Sequence, residues 1–334
     1  MGRKQKYYIA TPAYNESGSL SNYFKAMLRA VHYAQNYELA KTYICANGCT
    51  DNTVELIKKY TKRHPELKIE LLHSKKGMNR ALCKIIETIQ NKSLPTVKID
   101  ADVKVDRKAI SILLDELNNN KELQIVGGHP LAEDYKGLNP IRHLMTNILD
   151  VRSRHPMSQI AVNDVSMFHK LALTDPQPTV STEFEMKSRI YFHGRLYALR
   201  NKEVWNAPAN RIGDDTYLTL DTYKRYGYGS IRLRYDAKCY YHPSRSLIGH
   251  WKVYKRIFCD TYTLFELPEF QSKRLKNTID KEKVRLDWSY IMSLQLQDQL
   301  YFVLYSIVKH IFNYMFKLSP KYSDELWTYK TKTR

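Results

Sequence analysis

The sequence predicts an α/β fold: a mostly parallel sheet flanked by helices, signalled by two periodicities that alternate over the first 130 residues. Short apolar runs at 7–11, 42–46, 67–72, 96–99 and 123–127, each bounded by Pro, Gly, Asn or Asp, have the length and make-up of buried strands. Helical stripes lie between them. Met78, Ala81, Leu82, Ile85, Ile86 and Ile89 share one side of a helix over 77–90, and Ile110, Leu113, Leu114 and Leu117 repeat the pattern. Strands separated by helices need crossover connections and pair in parallel, and such sheets bind ligands beyond the carboxyl ends of their strands.

Residues 128–190 are punctuated by His129-Pro130, Asn139-Pro140, His155-Pro156, Asp175-Pro176 and Gln177-Pro178, and read as loops and short helices laid over the sheet. Regular pattern returns with a strand at Leu196 to Leu199, a helix from about Asp214 to Tyr226 closed by Gly227, and a strand at Ile231 to Tyr235. A helix over 300–318 aligns Ser306, Lys309, His310, Asn313 and Lys317 in one polar stripe. Its wide apolar remainder suits packing into the protein or a partner, or a membrane interface. Upstream, residues 245–258 interleave His250, Lys252, Lys255 and Arg256 with Leu247, Ile248, Trp251, Val253, Tyr254 and Ile257, which suits anionic lipid headgroups and equally a sugar-phosphate groove.

At 334 residues and 43% hydrophobic side chains the chain can bury a full core. Its 53 Lys and Arg against 34 Asp and Glu give a formal charge of +19, so an anionic partner is expected: nucleic acid, a membrane surface or phosphorylated small molecules. Residues 231–334, with 19 basic and 10 acidic side chains, are the more charge-dense part. Five cysteines with no C-x-x-C pair argue against a zinc ribbon or disulfide framework and suggest a reducing compartment. The apolar stretch after the basic N-terminus is too short for a signal peptide, and no apolar run approaches the ~20 residues that span a bilayer, so a cytoplasmic location is expected, with peripheral attachment to the inner membrane face as a further option.

Five segments carry polar chemistry. Lys98-Ile99-Asp100-Ala101-Asp102 sets two carboxylates where a buried strand ends, and carboxylates two apart can hold a hard cation while leaving positions for phosphate oxygens and water. Pro12, Tyr14, Asn15 and Glu16 follow the first strand; Asn47 to Thr53 follow the second, with Asp51 or Asn52 able to cap the next helix. Both ends could hold a nucleobase and ribose. Lys75, Lys76 and Arg80 bring cations to the start of the 77–90 helix, whose N-terminus favours an anion. Asp214 and Asp215 open a later helix, where one carboxylate near an acceptor hydroxyl could serve as general base and its neighbour orient the acceptor or raise that base's pKa.

The order P-A-Y-N-E, N-G-C-T-D-N-T, K-G, D-A-D and G-D-D-T-Y-L, from about residue 7 to about residue 256, resembles the family 2 glycosyltransferases of the GT-A fold. That resemblance implies an inverting transfer of a sugar from a nucleotide-diphosphate sugar, foremost a UDP-sugar, to an acceptor hydroxyl, and departures from the family pattern make it non-processive. Pro12, Tyr14 and Glu16 would form one nucleotide-contact segment and Asn47 with Asp51 another, while Lys76 or Arg80 would meet the diphosphate. Asp100 would touch ribose or metal, Asp102 would coordinate Mn²⁺ or Mg²⁺, and His242, with His250 as competitor, would be a further metal ligand. Asp215 would be the catalytic base and Asp214 its neighbour. Residues 1–256 would be the transferase domain, with its nucleotide-sugar half at 1–127 and its acceptor half at 128–256; 257–334 would be a helical extension that meets a membrane or partner.

Three departures bear on this. Ala46-Asn47 stand where the family often has two acids, which leaves the base preference open. Leu247-Ile248-Gly249-His250-Trp251 is the nearest approach to the Q-x-x-R-W of processive members, which argues against a polymerising synthase. Residues 128–190 and 260–334, where acceptor recognition is expected, match no further motif. A nucleotidyltransferase of similar fold would need a glycine-rich loop that Thr11 to Asn15 lack. The acceptor remains a lipid-linked or other glycan, another hydroxyl, or a nucleic acid.

Overall fold

The computed structural model describes residues 4–133, 140–155, 158–161, 192–211, 213–243, 246–264, 267 and 284–318. The readings made on 162–190 and 319–334 lie outside these residues. Two compact units are present: Met1–Pro130 with Tyr191–Tyr241, and Leu131–Ile190 with His242–Arg334.

In the first unit the strands are β1 (Gln5–Ala13), β2 (Tyr37–Asn47), β3 (Ile69–Ser74), β4 (Thr96–Ile99), β5 (Val103–Val105), β6 (Ile125–Ala132), β8 (Leu196–Leu199) and β9 (Ile231–Tyr241); β7 (Gln159–Ala161) lies in the second. They form one eight-stranded sheet in the order β3-β2-β1-β4-β8-β6-β9-β5. The β3-β2-β1-β4 half is parallel, and β8 runs antiparallel to both β4 and β6. The predicted mostly parallel α/β sheet is therefore present as a mixed sheet, with β8 reversed against β4 and β6 and with β9 antiparallel to β5. Sequence placed the third strand two residues early because Pro65–Leu67 forms a 3₁₀ turn and Lys68 takes a left-handed conformation (φ 47°) before the extended run begins.

Helices α1 (Leu20–Tyr33), α2 (Thr53–Arg63), α3 (Met78–Thr88) and α4 (Ala109–Asn119) cover the sheet. The apolar stripes read from sequence are the buried faces: Ala81, Leu82 and Ile85 on α3, and Ile110, Leu113, Leu114 and Leu117 on α4. On α1, Leu20, Tyr23, Phe24, Met27 and Ala30 join the α4 stripe in one core with Ile9, Ile44, Val97, Ile99 and Val126.

The second unit contains α5 (Pro140–Arg154), α7 (Leu247–Leu264), α8 (Trp288–Met292) and α9 (Leu296–Leu318), with β7 antiparallel to β10 (Val284–Leu286). Ile148, Val151, Ile291, Tyr301 and Phe302 make its core, and Arg152 Nη1 donates to Tyr305 Oη at 2.7 Å. Asp298 sits 3.0 Å from His155 Nε2 and 3.5 Å from Arg154 Nη1. No helix among the described residues is long and apolar enough to cross a membrane.

Candidate active site

The polar residues singled out from sequence gather where β1, β2 and β4 end. Parallel strands terminate on the same edge, so the loops that follow them become neighbours regardless of their separation in sequence. Asn15, in the left-handed region (φ 52°), accepts from Thr50 N–H at 2.7 Å, while Ser17 N–H donates to Asp51 Oδ2 at 3.1 Å. Asp51 Oδ1 also accepts from Thr53 N–H (3.1 Å) and Oγ1 (2.6 Å) at the start of α2. Burial alone would raise the Asp51 carboxyl, yet the bonds from Thr53 and Ser17 outweigh it and hold it below its ordinary value. Asp51 thus stitches two loops and accepts from the first N–H of α2, while Asn52, the other candidate, holds the N-cap position without a side-chain capping bond. Glu16 is buried, its backbone N–H on Thr53 Oγ1 (2.7 Å) and its carboxylate accepting from Ser19 Oγ (2.6 Å).

Pro12 lies at the end of β1, opposite Cys45, and Asn47 is buried as the last residue of β2. The Tyr14 ring lies 5.1 Å from Lys76 Nζ. Gly48, with φ 71°, lets the β2–α2 loop come close to Lys76: a Cβ there would stand 3.2 Å from the Lys76 backbone nitrogen. Arg80, in the first turn of α3, donates to the Lys76 carbonyl at 3.3 Å. An aromatic ring and two cations therefore border the same strand ends.

The acidic centre is built by a pairing that no local pattern announces. Because β8 runs antiparallel to β4 (Ile99 opposite Leu196), the residues before β8 lie beside those after β4. Asp100 N–H accordingly donates to the Arg195 carbonyl at 3.1 Å. Lys98 and Tyr197 are direct partners across that pair, on one face of the sheet, with the ammonium 5.5 Å from the ring centre. Lys98 is fully buried: Nζ lies 2.6 Å from Asp100 Oδ1 and 3.6 Å from Asp214 Oδ2, and it donates to the Gly194 carbonyl. Burial alone would pull its pKa down, but Asp100 and Asp214 outweigh it and hold it above the ordinary lysine value.

Tyr197 Oη donates to Asp214 Oδ2 at 2.8 Å, and Gly194 N–H donates to Asp215 Oδ2 at 3.0 Å. Asp215, the first residue of α6 (Asp215–Tyr226), also accepts from Thr216 N–H at 2.9 Å. Burial raises the Asp214 carboxyl and Asp215 adds to the rise, while Lys98 and the Tyr197 bond oppose it. Asp214 is 2% exposed whereas Asp215 is only half-buried, so of the two acids Asp215 is the one open to a reactant. Asn79 Nδ2 donates to the Arg211 and Gly213 carbonyls at 3.1 and 3.2 Å, tying the start of α3 to the segment that delivers the acid pair.

Arg195 lies in the field of Asp102 and Asp100, with its guanidinium 3.7 Å from the centre of the Tyr241 ring. Four carboxylates (Asp100, Asp102, Asp214, Asp215) thus share the centre with two cations, the buried Lys98 and the half-buried Arg195. If all are ionised, the excess negative charge equals that of one divalent cation. Among the described residues no group of three His, Cys, Asp or Glu side chains is placed to hold a metal ion. The donor set fits a hard cation bound by the Asp100 and Asp102 pair and completed by phosphate oxygens and water. His242 belongs to the second unit, where Nε2 lies 3.2 Å from Glu133 Oε2; His250 is in α7 of that unit. Lys98, Tyr197, Gly194, Arg195 and Asn79 were not expected as site residues. Lys98 alone left a trace, as a cation inside an otherwise apolar strand.

A family model described as glycosyl transferase family 2 matches residues 8–174, half of the chain. The chain belongs to this family. No curated protein sequence matches it. Among solved structures, the mannosyltransferase PcManGT of Pyrobaculum calidifontis, in complex with GDP-Man and Mn²⁺, is 14% identical with a TM-score of 0.53 over 79% of this chain. The present chain spans 64% of that protein's length. Glucosyl-3-phosphoglycerate synthase of Mycobacterium tuberculosis, in complex with Mn²⁺, UDP and phosphoglyceric acid, is also 14% identical, with a TM-score of 0.50 over 79% of this chain and 80% of its own. These likenesses establish the GT-A fold, and family membership makes the chain a glycosyltransferase.

Proposed function

We propose that this family 2 glycosyltransferase moves a sugar from a nucleotide-diphosphate sugar, foremost a UDP-sugar, to an acceptor hydroxyl with inversion and without processivity. The observation that carries the reading is the meeting of the D-A-D strand end with the Asp214-Asp215 helix start across Lys98 and Gly194. Tyr14 and Asn47 flank the nucleoside, and Lys76 and Arg80 face the diphosphate. Asp102, with Asp100, would hold Mn²⁺ or Mg²⁺, a Lewis acid for charge growing on the leaving diphosphate. Asp215 accepts the acceptor hydroxyl's proton as that oxygen forms the new bond to the anomeric carbon. The bond from that carbon to phosphate oxygen breaks on the opposite face, and the nucleoside diphosphate leaves with the electron pair. Asp214, anchored by Tyr197 and Lys98, fixes the start of α6 and so the place of Asp215.

GDP-Man and UDP lie in the two structural neighbours, which supports a nucleotide-linked donor. A thermal-shift screen of UDP-, GDP- and TDP-sugars with and without Mn²⁺ tests it, because ligand binding to the native state raises the midpoint. At least one donor should stabilise the wild type only with Mn²⁺, and Asp102→Asn should remove that dependence. A metal-independent shift in both proteins would contradict the metal assignment.

A membrane-proximal, lipid-linked acceptor is favoured by α9. Leu300, Leu304, Ile307, Ile311 and Leu318 are exposed along one of its sides, while Phe312 on the buried side packs against Trp251 and Tyr254 of α7, the helix that carries Lys252, Lys255 and Arg256. An apolar ridge beside a basic helix is complementary to an anionic bilayer. The protein should float with vesicles containing anionic lipid and not with neutral ones. Salt-sensitive duplex binding without flotation would favour a nucleic-acid acceptor instead.

A further inference from the structure

We infer that Lys98 is a positioning residue for the proposed base: its buried ammonium holds the Gly194 peptide, and the Gly194 peptide in turn holds Asp215. The inference rests on the transfer reading above and extends it to a residue outside the recognised motifs.

The Gly194 carbonyl accepts from Lys98 Nζ, while the N–H of the same residue donates to Asp215 Oδ2 at 3.0 Å. Lys98 Nζ also lies 2.6 Å from Asp100 Oδ1. One cation thus links the donor-side strand end to the carboxylate on the acceptor side through a single residue, in the order Asp100, Lys98, Gly194, Asp215. Space enforces the relay. A Cβ on Gly194 would stand 2.9 Å from Asp214 Oδ1 and 3.2 Å from Asp215 Oδ2, so the backbone there already lies against both acids. A neutral apolar side chain, ordinary at the centre of a buried strand, would leave the Gly194 carbonyl without this donor and three carboxylates without this counter-charge.

Lys98 could instead serve only as a counter-ion for Asp214, 3.6 Å away, and the two roles separate experimentally. Lys98→Met leaves an excess of buried negative charge and is prone to misfold. Lys98→Met/Asp214→Asn removes one charge of each sign and keeps the balance. The double variant, Asp214→Asn alone and Arg200→Met would be compared with the wild type. Arg200 is a cation at the far end of β8 that bonds the carbonyls of Leu117, Asn120 and Leu123, so it controls for general loosening.

Nucleotide release from UDP-glucose and GDP-mannose gives kcat and KM, and deuterium exchange of peptides over 192–199 and 213–220 reports backbone anchoring. For a positioning role, the double variant falls about 100-fold in kcat below Asp214→Asn, with donor KM within about threefold. Exchange in both peptides rises about tenfold, and Arg200→Met changes neither. Equal kcat and equal exchange in the double variant and Asp214→Asn would overturn the inference and leave Lys98 a counter-ion. If the wild type turns over no donor, the donor reading fails, and deuterium exchange still decides whether Lys98 anchors Gly194.

Discussion

Replacing Gly194 with alanine puts a methyl carbon 2.9 Å from Asp214 Oδ1 and 3.2 Å from Asp215 Oδ2. Neither oxygen retreats freely. Asp214 is held on its other oxygen by Tyr197 (2.8 Å), and Asp215 is held on its other oxygen by Thr216 N–H (2.9 Å). Restoring ordinary contact distances requires Asp214 to move by about 0.5 Å and Asp215 by less, in a region packed to solid density. Because ~1 Å of misplacement at a reacting centre costs ~100-fold, about half that displacement predicts about a tenfold loss in kcat. Overpacking should also cost about 1–3 kcal/mol of stability, a fall of several degrees in Tm. Nucleotide release from donor sugar, assayed with Mn²⁺ well below the variant's Tm, should show the kcat loss with donor KM little changed. Wild-type kcat in Gly194→Ala would refute the claim that the Gly194 backbone sets the acids. So would a defect confined to donor KM.

Two further outcomes follow from the site's wiring. Tyr197→Phe removes the hydroxyl that donates to buried Asp214 and should cost about 1–3 kcal/mol in urea unfolding; an unchanged midpoint would contradict that bond's place in the fold. Asp51→Asn tests the loop stitch through pH. The Asp51 pKa is held below its ordinary 3.8, so its stabilisation is present above that value and is lost as pH falls through the lower folded-state pKa. The Tm gap between wild type and Asp51→Asn should be open at pH 7 and close in strong acid. A gap independent of pH would contradict the ionised role.

The nucleotide half of the sheet was legible because its strands and helices obey clean local periods: the stripe on α3 is its buried face, and 96–99 is β4 to the residue. The carboxylates at 100, 102, 214 and 215 were legible because acids at strand and helix ends stand out against apolar runs. What joins them was not. Lys98 meets Tyr197 and Gly194 only through the antiparallel pairing of β8 with β4, with Lys98 and Gly194 standing 96 positions apart in the chain, and a tyrosine in a short apolar strand looks like ordinary core. Asp51 illustrates the opposite difficulty, since a carboxylate after a strand suits a ligand and a helix start equally well. Here its oxygens are engaged by Thr53 and Ser17. The charge of +19 separates likewise into tasks. Lys98 and Arg195 are placed inside the acidic centre and Lys76 at its border, while Lys252, Lys255 and Arg256 belong to the other unit, on the helix proposed to face an anionic bilayer.

The central claim, that Asp215 receives the acceptor's proton while the D-A-D end holds the donor, is tested most directly by measuring donor binding and turnover together in Asp215→Asn. Calorimetry with UDP-glucose or GDP-mannose and Mn²⁺ should give a Kd within about threefold of wild type, since the substitution removes a charge and leaves the shape. Turnover of the same donor should fall by about 1,000-fold or more, as expected for loss of a positioned general base. Near-normal turnover with intact binding would contradict the account and move the base to another residue.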